Sequence, residues 1–333
     1  MRVLVTGGCG FIGSNFVRHV FVSHPDWQIA NLDALTYAGN RANLADLETD
    51  PRYRFVHGRI EDRATVEDAI AGCDAVVNFA AESHVDRSIH DATPFIRTNV
   101  VGTQVLLDAA VERKLARFIQ LSTDEVYGTL GTEGLFTEKT PLEPRSPYAA
   151  SKAAADMLAR ACWETHRLPV CVVRPSNNYG PWQYPEKLIP LMLTNLFEGG
   201  KVPVYGKGDN VRDWLYVEDN CRAICAVLER GRPGEAYNIG GNCEKRNIEV
   251  VRAVLGLLGL GEDRIEHVPD RPGHDFRYAL DNRKIESELG WRPATGFEDG
   301  IKATLDWYRG HEDWWRELRA RLERERRGFW TAR

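Results

Sequence analysis

Two carboxylates stand side by side in the segment STDEVYG, where Asp124 and Glu125 follow the hydroxyl of Thr123. Adjacent carboxylates repel each other, and in a site closed to solvent one of the two tends to hold a proton at neutral pH. Such a pair can supply both a general acid and a general base to one reaction. The alternative interpretation is a solvated turn at the end of a strand, and the surrounding residues decide between the two.

A second chemical pair is Tyr148 and Lys152 in PYAASKAAADML, which lie four apart on a predicted helix and therefore share one face. A tyrosine, whose pKa is ordinarily about 10, needs a neighbouring positive charge to act as a base. With Thr123 hydrogen-bonding the same substrate oxygen, the pair suits removal of an alcohol proton during hydride transfer to a nicotinamide. Tyrosine and lysine also occur at this spacing by accident, so the hypothesis depends on a cofactor site.

The cofactor site is predicted in VLVTGGCGFIGSNF, which places Gly7, Gly10 and Gly13 where the first predicted strand joins the first helix. Glycines there let the backbone approach a pyrophosphate at the helix N-terminus. Asp33 ends the next strand, about twenty positions later, where a carboxylate can bind the adenine ribose and repel a 2′-phosphate. Capping of the following loop is the alternative role for Asp33. With the small residue Ala80 after the fourth strand, the pattern favours NAD over NADP.

Short apolar runs alternate with amphipathic segments through the first half of the chain. The runs that predict strands are RVLVT, QIANLD, YRFVH, DAVVNFA, RFIQLS and PVCVVR, and the segments 94–113 and 147–166 predict helices. This alternation predicts an α/β fold, a Rossmann-type doubly wound parallel sheet with a smaller C-terminal α/β substrate lobe. We expect a cofactor-binding domain at 1–176, with 211–240 returning to the sheet, and a substrate domain at 177–333. The tail HEDWWRELRARLERERRGFW predicts a charged helix that docks as a cap.

Composition narrows the class of protein. The 333 residues carry a net charge of -5, with no basic face, so we expect no nucleic acid partner. The start, MRVLVTGGCG, is too short for a secretory segment or a membrane span, which predicts a cytoplasmic protein without a membrane partner. Seven cysteines without a CxxC pair fit neither a disulfide framework nor a zinc site, so no metal is expected. Cys221 and Cys225 are predicted to pack in the core.

Together these residues resemble a known group, the extended short-chain dehydrogenase/reductases and, within them, the dTDP-glucose 4,6-dehydratases. The resemblance runs almost from end to end and rests on TGGCGFIGSNF, LDALTYAGN, AAESHVDRSI, STDEVYG, SPYAASKAAAD, SNNYGPWQYPEKLIP, YGKGDNVRDWLYVED, DRPGHDFRYALD and ELGWRP. It implies an NAD-dependent lyase whose NAD stays bound and is regenerated in each turnover. Tyr148 would deprotonate the C4 hydroxyl of the glucosyl unit while the hydride leaves C4. Glu125 would then take the C5 proton and Asp124 would protonate the leaving C6 hydroxyl, before the hydride returns to C6.

The resemblance also implies the residues that contact each ligand. Those that match NAD contacts in the family are Phe11, Ile12, Asp33, Leu35, Thr36, Ile60, Ala80, Thr98, Tyr148, Lys152 and Asn178. Those that match contacts to the sugar nucleotide are Ser83, Thr123, Asn177, Lys187, Leu188, Pro203, Tyr205, Arg212, Asn247 and His274. Arg212 and Lys187 are suitable partners for a pyrophosphate, and Tyr205 for a nucleobase. A surface ion pair or a core aromatic is the alternative role for any of these.

Three positions depart from the family pattern. Arg59 stands where an aspartate usually contacts the adenine, Pro175 where a cysteine is frequent, and Phe276 where an arginine is frequent. The last lies near the nucleotide end of the substrate, so the choice between dTDP and UDP stays open.

Other functions remain as alternatives. A UDP-glucose 4,6-dehydratase or a sugar-nucleotide 4-epimerase would share the fold, although the epimerases of this superfamily lack the Asp-Glu pair. A silent protein that holds NAD or a nucleotide as a regulatory ligand is an alternative from another class. The resemblance further implies a homodimer formed through helices 94–113 and 147–166. Whether the product serves rhamnose or another deoxysugar is left open.

Overall fold

The computed structural model describes residues 1–270 and 275–330, with side chains up to residue 324. In chain order its strands are β1 Arg2–Thr6, β2 Gln28–Asp33, β3 Tyr53–His57, β4 Ala75–Asn78, β5 Arg117–Leu121, β6 Val170–Pro175, β7 Asn177–Tyr179, β8 Val202–Tyr205, β9 Val211–Tyr216, β10 Ala236–Ile239, β11 Glu244–Arg246 and β12 Ile265–Val268. Its α-helices are α1 Phe11–Ser23, α2 Arg63–Ile70, α3 Val85–His90, α4 Thr93–Phe95, α5 Thr103–Glu112, α6 Pro147–His166, α7 Leu188–Phe197, α8 Val217–Arg230, α9 Asn247–Leu258, α10 Arg283–Leu289, α11 Phe297–Gly310 and α12 Glu312–Trp330. A π-helical segment, Ile96–Gly102, joins α4 to α5, and 3₁₀ turns occupy Arg41–Leu47, Asp124–Tyr127 and Glu262–Arg264.

Among the described residues, a seven-stranded parallel sheet has the order β10-β6-β5-β4-β1-β2-β3. The strand order reverses beside β1, which is the doubly wound arrangement, so the predicted fold class is confirmed. The six apolar runs of the first half all form strands of this sheet. Their carboxyl ends share one edge, where ligands of such sheets bind.

The predicted return of 211–240 to the large sheet is correct only for its last part. β10 pairs with β6, and α8 packs on the sheet through buried residues that include Cys221 and Cys225, which confirms their core role. β9 instead lies in a three-stranded sheet of order β11-β9-β7. Local apolar patterning predicts a strand without specifying its partner, which explains this error. The domain boundary at 176/177 stays a prediction.

Hydrophobic cores cover both faces of the large sheet. In β1, the side chains of Val3 and Val5 join a cluster with α1 and α8, whereas Leu4 joins a cluster with α2, α5 and α6 on the opposite face. Successive residues of a strand point to opposite faces, so an uninterrupted apolar run is what a sheet covered on both sides requires. At about 25 cal/mol per Å² of apolar surface removed from water, burial of these two layers stabilises the fold.

The second half of the chain forms its own core. α7, α9, α11 and the small strands β8 and β9 bury a cluster that also contains Trp315 from α12. Leu318 and Leu322 of the same helix are 4% and 5% exposed, so the predicted docking of the tail as a cap is confirmed. No described helix is both long enough and apolar enough to cross a membrane.

Candidate active site

One cleft follows the carboxyl ends of β1 to β6 and gathers most of the residues singled out in the sequence. Of the predicted cofactor contacts, it is lined by Gly7, Gly10, Phe11, Ile12, Gly13, Asp33, Thr36, Ile60, Ala80, Thr98, Tyr148, Lys152 and Asn178. Of the predicted catalytic and substrate residues, it is lined by Thr123, Asp124, Glu125, Ser83, Asn177 and Lys187. A candidate dinucleotide site and a candidate catalytic site are therefore continuous.

The glycine-rich turn between β1 and α1 leaves no room for a side chain at Gly7 or Gly13. Gly7 has φ +69°, and a Cβ built on it would lie 2.7 Å from the backbone nitrogen of Ala80. A Cβ on Gly13 would lie 2.3 Å from the carbonyl oxygen of Gly7. The turn thus presents bare backbone to the cleft directly before a helix N-terminus, which fits a pyrophosphate.

Asp33 ends β2, and its carboxylate contacts the glycine-rich turn. Its Oδ2 accepts a hydrogen bond from the Cys9 backbone nitrogen at 2.8 Å, and its Oδ1 accepts one from Leu35 at 2.7 Å. Burial raises the pKa of the Asp33 carboxyl, and these two backbone donors oppose that shift. Asp33 therefore organises the loop and also lines the cleft, so its two sequence-based roles are compatible. Leu35 adopts φ 49° at the start of this loop.

Tyr148 and Lys152 lie on α6, which begins where Ser146 accepts a hydrogen bond from Ala149 and Pro147 occupies the first turn. Both side chains are buried, and Lys152 Nζ donates to the Leu121 carbonyl oxygen at 2.6 Å. Burial lowers the pKa of Lys152 to about 8. Burial raises the pKa of Tyr148, as does the charge of Glu125, while a hydrogen bond with Thr123 lowers it.

Asp124 and Glu125 occupy the 3₁₀ turn after β5. The Thr123 hydroxyl donates to Asp124 Oδ1 at 3.2 Å and accepts from the Glu125 backbone nitrogen at 3.3 Å. Asp124 is 3% exposed, and its Oδ2 has no hydrogen-bond partner among the described residues. Burial, followed by the charge of Glu125, raises the pKa of Asp124 to about 8. A pKa of about 8 favours a proton on Asp124 at neutral pH, which suits the general acid that the sequence predicts at this position.

A buried polar network behind Lys152 was missed in the sequence. Asp156 Oδ2 accepts hydrogen bonds from Ser122 Oγ and Arg174 Nε, each at 2.9 Å, and Arg174 also donates to the Tyr127 hydroxyl at 2.8 Å. The network connects both ends of STDEVYG to α6 and β6. Helical spacing could have indicated Asp156, because it lies one further turn along the face that carries Tyr148 and Lys152.

The predicted substrate residues divide into two groups. Ser83, Asn177 and Lys187 face the catalytic residues, with Lys187 Nζ donating to the Ser83 carbonyl oxygen at 3.2 Å. Leu188, Pro203, Tyr205, Arg212 and Asn247 lie outside the lining of the cleft, on α7, β8, β9 and α9. His274 lies outside the described residues.

Arg212 connects the second group to the catalytic site. Its guanidinium is 4.5 Å from the centre of the Tyr278 ring and donates to the carbonyl oxygens of Val211 and Asp275. It is close enough to lower the pKa of Asp124. Tyr205, in contrast, is 46% exposed.

The three departures from the family pattern have different surroundings. Arg59 lines the cleft, with Nη1 3.9 Å from Glu61 Oε1. Pro175 ends β6 and also lines the cleft, while Phe276 is 44% exposed.

Comparison with known proteins gives a consistent family. A family model described as GDP-mannose 4,6 dehydratase matches residues 4–304. A dTDP-glucose 4,6-dehydratase from Streptomyces niveus is 54% identical over 324 residues, 96% of each chain. The structure of the dTDP-glucose 4,6-dehydratase DesIV from Streptomyces venezuelae, with NAD and dTDP bound, superposes with a TM-score of 0.93 at 53% identity, covering 96% of this chain and all of that one.

A further solved structure is that of a dTDP-glucose 4,6-dehydratase from Bacillus anthracis in complex with NAD. It gives a TM-score of 0.90 at 52% identity, over 96% of this chain and 99% of that one. With such identity over nearly the whole length, the chain belongs to the dTDP-glucose 4,6-dehydratases of the extended short-chain dehydrogenase/reductase family.

Proposed function

We propose that this protein is an NAD-dependent hydro-lyase that converts dTDP-glucose into dTDP-4-keto-6-deoxyglucose. The observation that carries the proposal is the pairing of the buried Asp124 with Glu125 at the end of β5, in the cleft that Tyr148 and Lys152 also line. An oxidoreductase that only exchanged a hydride would need the last two residues alone. The carboxyl pair adds the acid and the base that removal of water requires.

The cleft fits NAD on its own geometry. The bare turn at Gly7 and Gly13 suits the pyrophosphate, and Asp33 at the end of β2 suits the adenine ribose. When bound, NAD supplies reversible hydride acceptance, from C4 of the glucosyl unit at the start and back to C6 at the end. Asn178, whose Oδ1 is buried without a partner among the described residues, lines the same cleft.

The first proton transfer belongs to Tyr148. Its phenolate accepts the proton of the C4 hydroxyl as C4 becomes a ketone, and the Lys152 ammonium stabilises the phenolate. Thr123, which is close enough to lower the pKa of Tyr148, orients the same oxygen. Because burial raises the pKa of Tyr148, this step depends on positive charge near its hydroxyl.

Elimination of water belongs to the carboxyl pair. A ketone at C4 acidifies the C5 proton, which Glu125 accepts. Asp124 gives its proton to the C6 hydroxyl, which leaves as water, and the unpartnered Oδ2 of Asp124 provides a place for that contact. Glu125 then returns its proton to C5 when C6 is reduced. The sugar has lost one water and no net oxidation has occurred.

The substrate lies across the cleft and the second half of the chain, over 177–333. Ser83, Asn177 and Lys187 line the cleft, which supports their contact with the sugar and its neighbouring phosphate, and the guanidinium of Arg212 suits the pyrophosphate. The remaining predicted contacts, toward the nucleoside, are Leu188, Pro203, Tyr205, Asn247 and His274. The three relatives named above are each described as dTDP-glucose 4,6-dehydratases, which supports thymine over uracil as the base.

We propose a homodimer formed through segments 94–113 and 147–166. Ile96 and Val101 are each 48% exposed, and Met157 on α6 is 59% exposed. Exposed apolar side chains on adjoining helices support a protein interface. Light scattering of the purified protein tests this, since a monomer at micromolar concentration would contradict it. We also propose a cytoplasmic location, because all seven cysteines are free thiols.

Mass spectrometry of the product tests the function. The purified protein is incubated in deuterated water with dTDP-glucose, and separately with UDP-glucose and GDP-mannose. Loss of one water with one deuterium at C5, fastest with dTDP-glucose, is expected, and Tyr148→Phe should form no product. An unchanged mass with inverted C4 would indicate an epimerase. Absence of reaction with all three sugar nucleotides would contradict the proposal.

A further inference from the structure

A chain of two hydrogen bonds connects the C-terminal helix to the glycine-rich turn. Trp314 Nε1 on α12 donates to Asn43 Oδ1 at 2.8 Å, and Asn43 Nδ2 donates to the Cys9 carbonyl oxygen at 2.9 Å. Cys9 lies within the turn between Gly7 and Gly10. Asn43 is 1% exposed, so its amide is held away from solvent with both ends engaged. The last helix of the chain thereby contacts the first loop.

Asn43 is also held by a residue of α1, Arg18. The Asn43 carbonyl oxygen accepts hydrogen bonds from Arg18 Nε at 3.1 Å and Nη2 at 2.7 Å. Cys9 is in turn tied to Asp33, whose carboxylate accepts its backbone N–H. Asn43 therefore lies at the centre of contacts that determine where the turn points its backbone N–H groups.

Further contacts of α12 reach the loop that follows Asp33. Leu318 and Leu322 pack with Tyr37 and Tyr184 in a small apolar cluster. Arg321 Nη2 donates to the carbonyl oxygen of Thr36 at 3.2 Å. Thr36 lines the cleft beside Asp33. Detachment of α12 would thus loosen both the glycine-rich turn and the loop next to the adenine ribose.

We propose that Trp314 and Asn43 are positioning residues for the cofactor, through which the docked C-terminal helix holds the glycine-rich turn and slows the release of NAD. The inference rests on the NAD site of the proposed function. That reaction regenerates its cofactor in every turnover, so slow release keeps the enzyme competent without a supply of free NAD. Neither residue touches the reacting atoms, and both act through the turn.

The helix itself provides a matched control. Trp315 is adjacent to Trp314 and its Nε1 also donates one hydrogen bond, but to the Tyr308 carbonyl oxygen of α11 at 2.9 Å. Trp315→Phe and Trp314→Phe each remove one indole N–H donor and retain an aromatic ring. Both substitutions should lower the midpoint of thermal unfolding, because each removes one hydrogen bond of the folded state.

The measurement is the rate at which holoenzyme loses NAD, followed by mixing with a dehydrogenase that consumes free NAD. Release from Trp314→Phe should be faster than from the wild type by about tenfold, as for loss of one hydrogen bond at a buried site. Release from Trp315→Phe should equal the wild-type rate. A second variant, Leu322→Ala, should also accelerate release, and it replaces Trp314→Phe if that protein does not fold.

Equal release rates for all variants, or equal acceleration by Trp314→Phe and Trp315→Phe, would overturn the inference. Failure of the wild-type protein to bind NAD at all would instead contradict the proposed function. The two failures are therefore distinguishable in one set of measurements.

Discussion

Asp124 and Glu125 are adjacent in the chain, yet Asp124 is 3% exposed whereas Glu125 is only partly buried. Thr123 binds one oxygen of Asp124, and the other has no partner among the described residues. Because burial and the neighbouring charge raise the pKa of Asp124 to about 8, a proton stays on this residue at neutral pH. One short turn therefore provides an acid and a base. The different surroundings of the two carboxyl groups separate their roles, and a difference between aspartate and glutamate is not required.

Substitution of Asp124 or Glu125 should separate oxidation at C4 from the later elimination of water. Asp124→Asn and Glu125→Gln should each lower kcat by about 10²- to 10⁴-fold, the usual contribution of a general acid or base. Oxidation at C4 should survive in both, because Tyr148 and Lys152 are intact. With dTDP-glucose, both variants should accumulate the absorbance of reduced nicotinamide, and Tyr148→Phe should not. Full turnover by Glu125→Gln would refute the assigned base.

Stability should depend on pH through Asp124. The folded protein keeps this proton up to about pH 8, whereas the unfolded chain loses it near the ordinary pKa of 3.8. The folded state binds more protons between these values, so its free energy of unfolding should fall as pH rises from about 4 to 8. Asp124→Asn should remove that part of the dependence in chemical denaturation. The matched control is Asp306→Asn at an exposed ion pair, which should keep the wild-type dependence.

Much of the fold could be predicted because its signals are local. Continuous apolar runs predicted β1 to β6, and the glycine pattern predicted the join of β1 to α1. The partner of β9 could not be predicted, since pairing depends on how the second half of the chain packs. Helical spacing could have indicated Asp156, but its partner Arg174 lies 18 residues further along the chain on β6, and no local pattern predicts that contact.

The glycine-rich turn should not tolerate a methyl group. Gly13→Ala should weaken NAD binding and lower the free energy of unfolding by about 1–3 kcal/mol, because its Cβ would lie 2.3 Å from the Gly7 carbonyl oxygen. Gly131→Ala is the control, since a Cβ there meets nothing within 4 Å. Denaturation curves and NAD titrations on both proteins check this. Equal effects of the two substitutions would contradict the close packing of the turn.

The buried ion pair behind Lys152 should contribute strongly to stability. Asp156 and Arg174 have side chains 2% and 8% exposed, so Asp156→Ala should cost about 3–5 kcal/mol by leaving a buried guanidinium unpaired. Lys302→Ala breaks an exposed pair with Asp306 and should cost only about 0.3–0.5 kcal/mol. Urea denaturation measures both. A loss below about 1 kcal/mol for Asp156→Ala would show that the network relaxes without it.

The central claim is that Asp124 carries a proton at neutral pH while Glu125 does not. Infrared difference spectroscopy tests it directly, because a protonated carboxyl group has a C=O stretch that a carboxylate lacks. The wild-type protein at neutral pH should show such a band, which Asp124→Asn removes and Glu125→Gln retains. The band should disappear as pH is raised through about 8, where Asp124 ionises. A band lost in Glu125→Gln but kept in Asp124→Asn would reverse the two roles, and absence of any such band in the wild type would contradict the account.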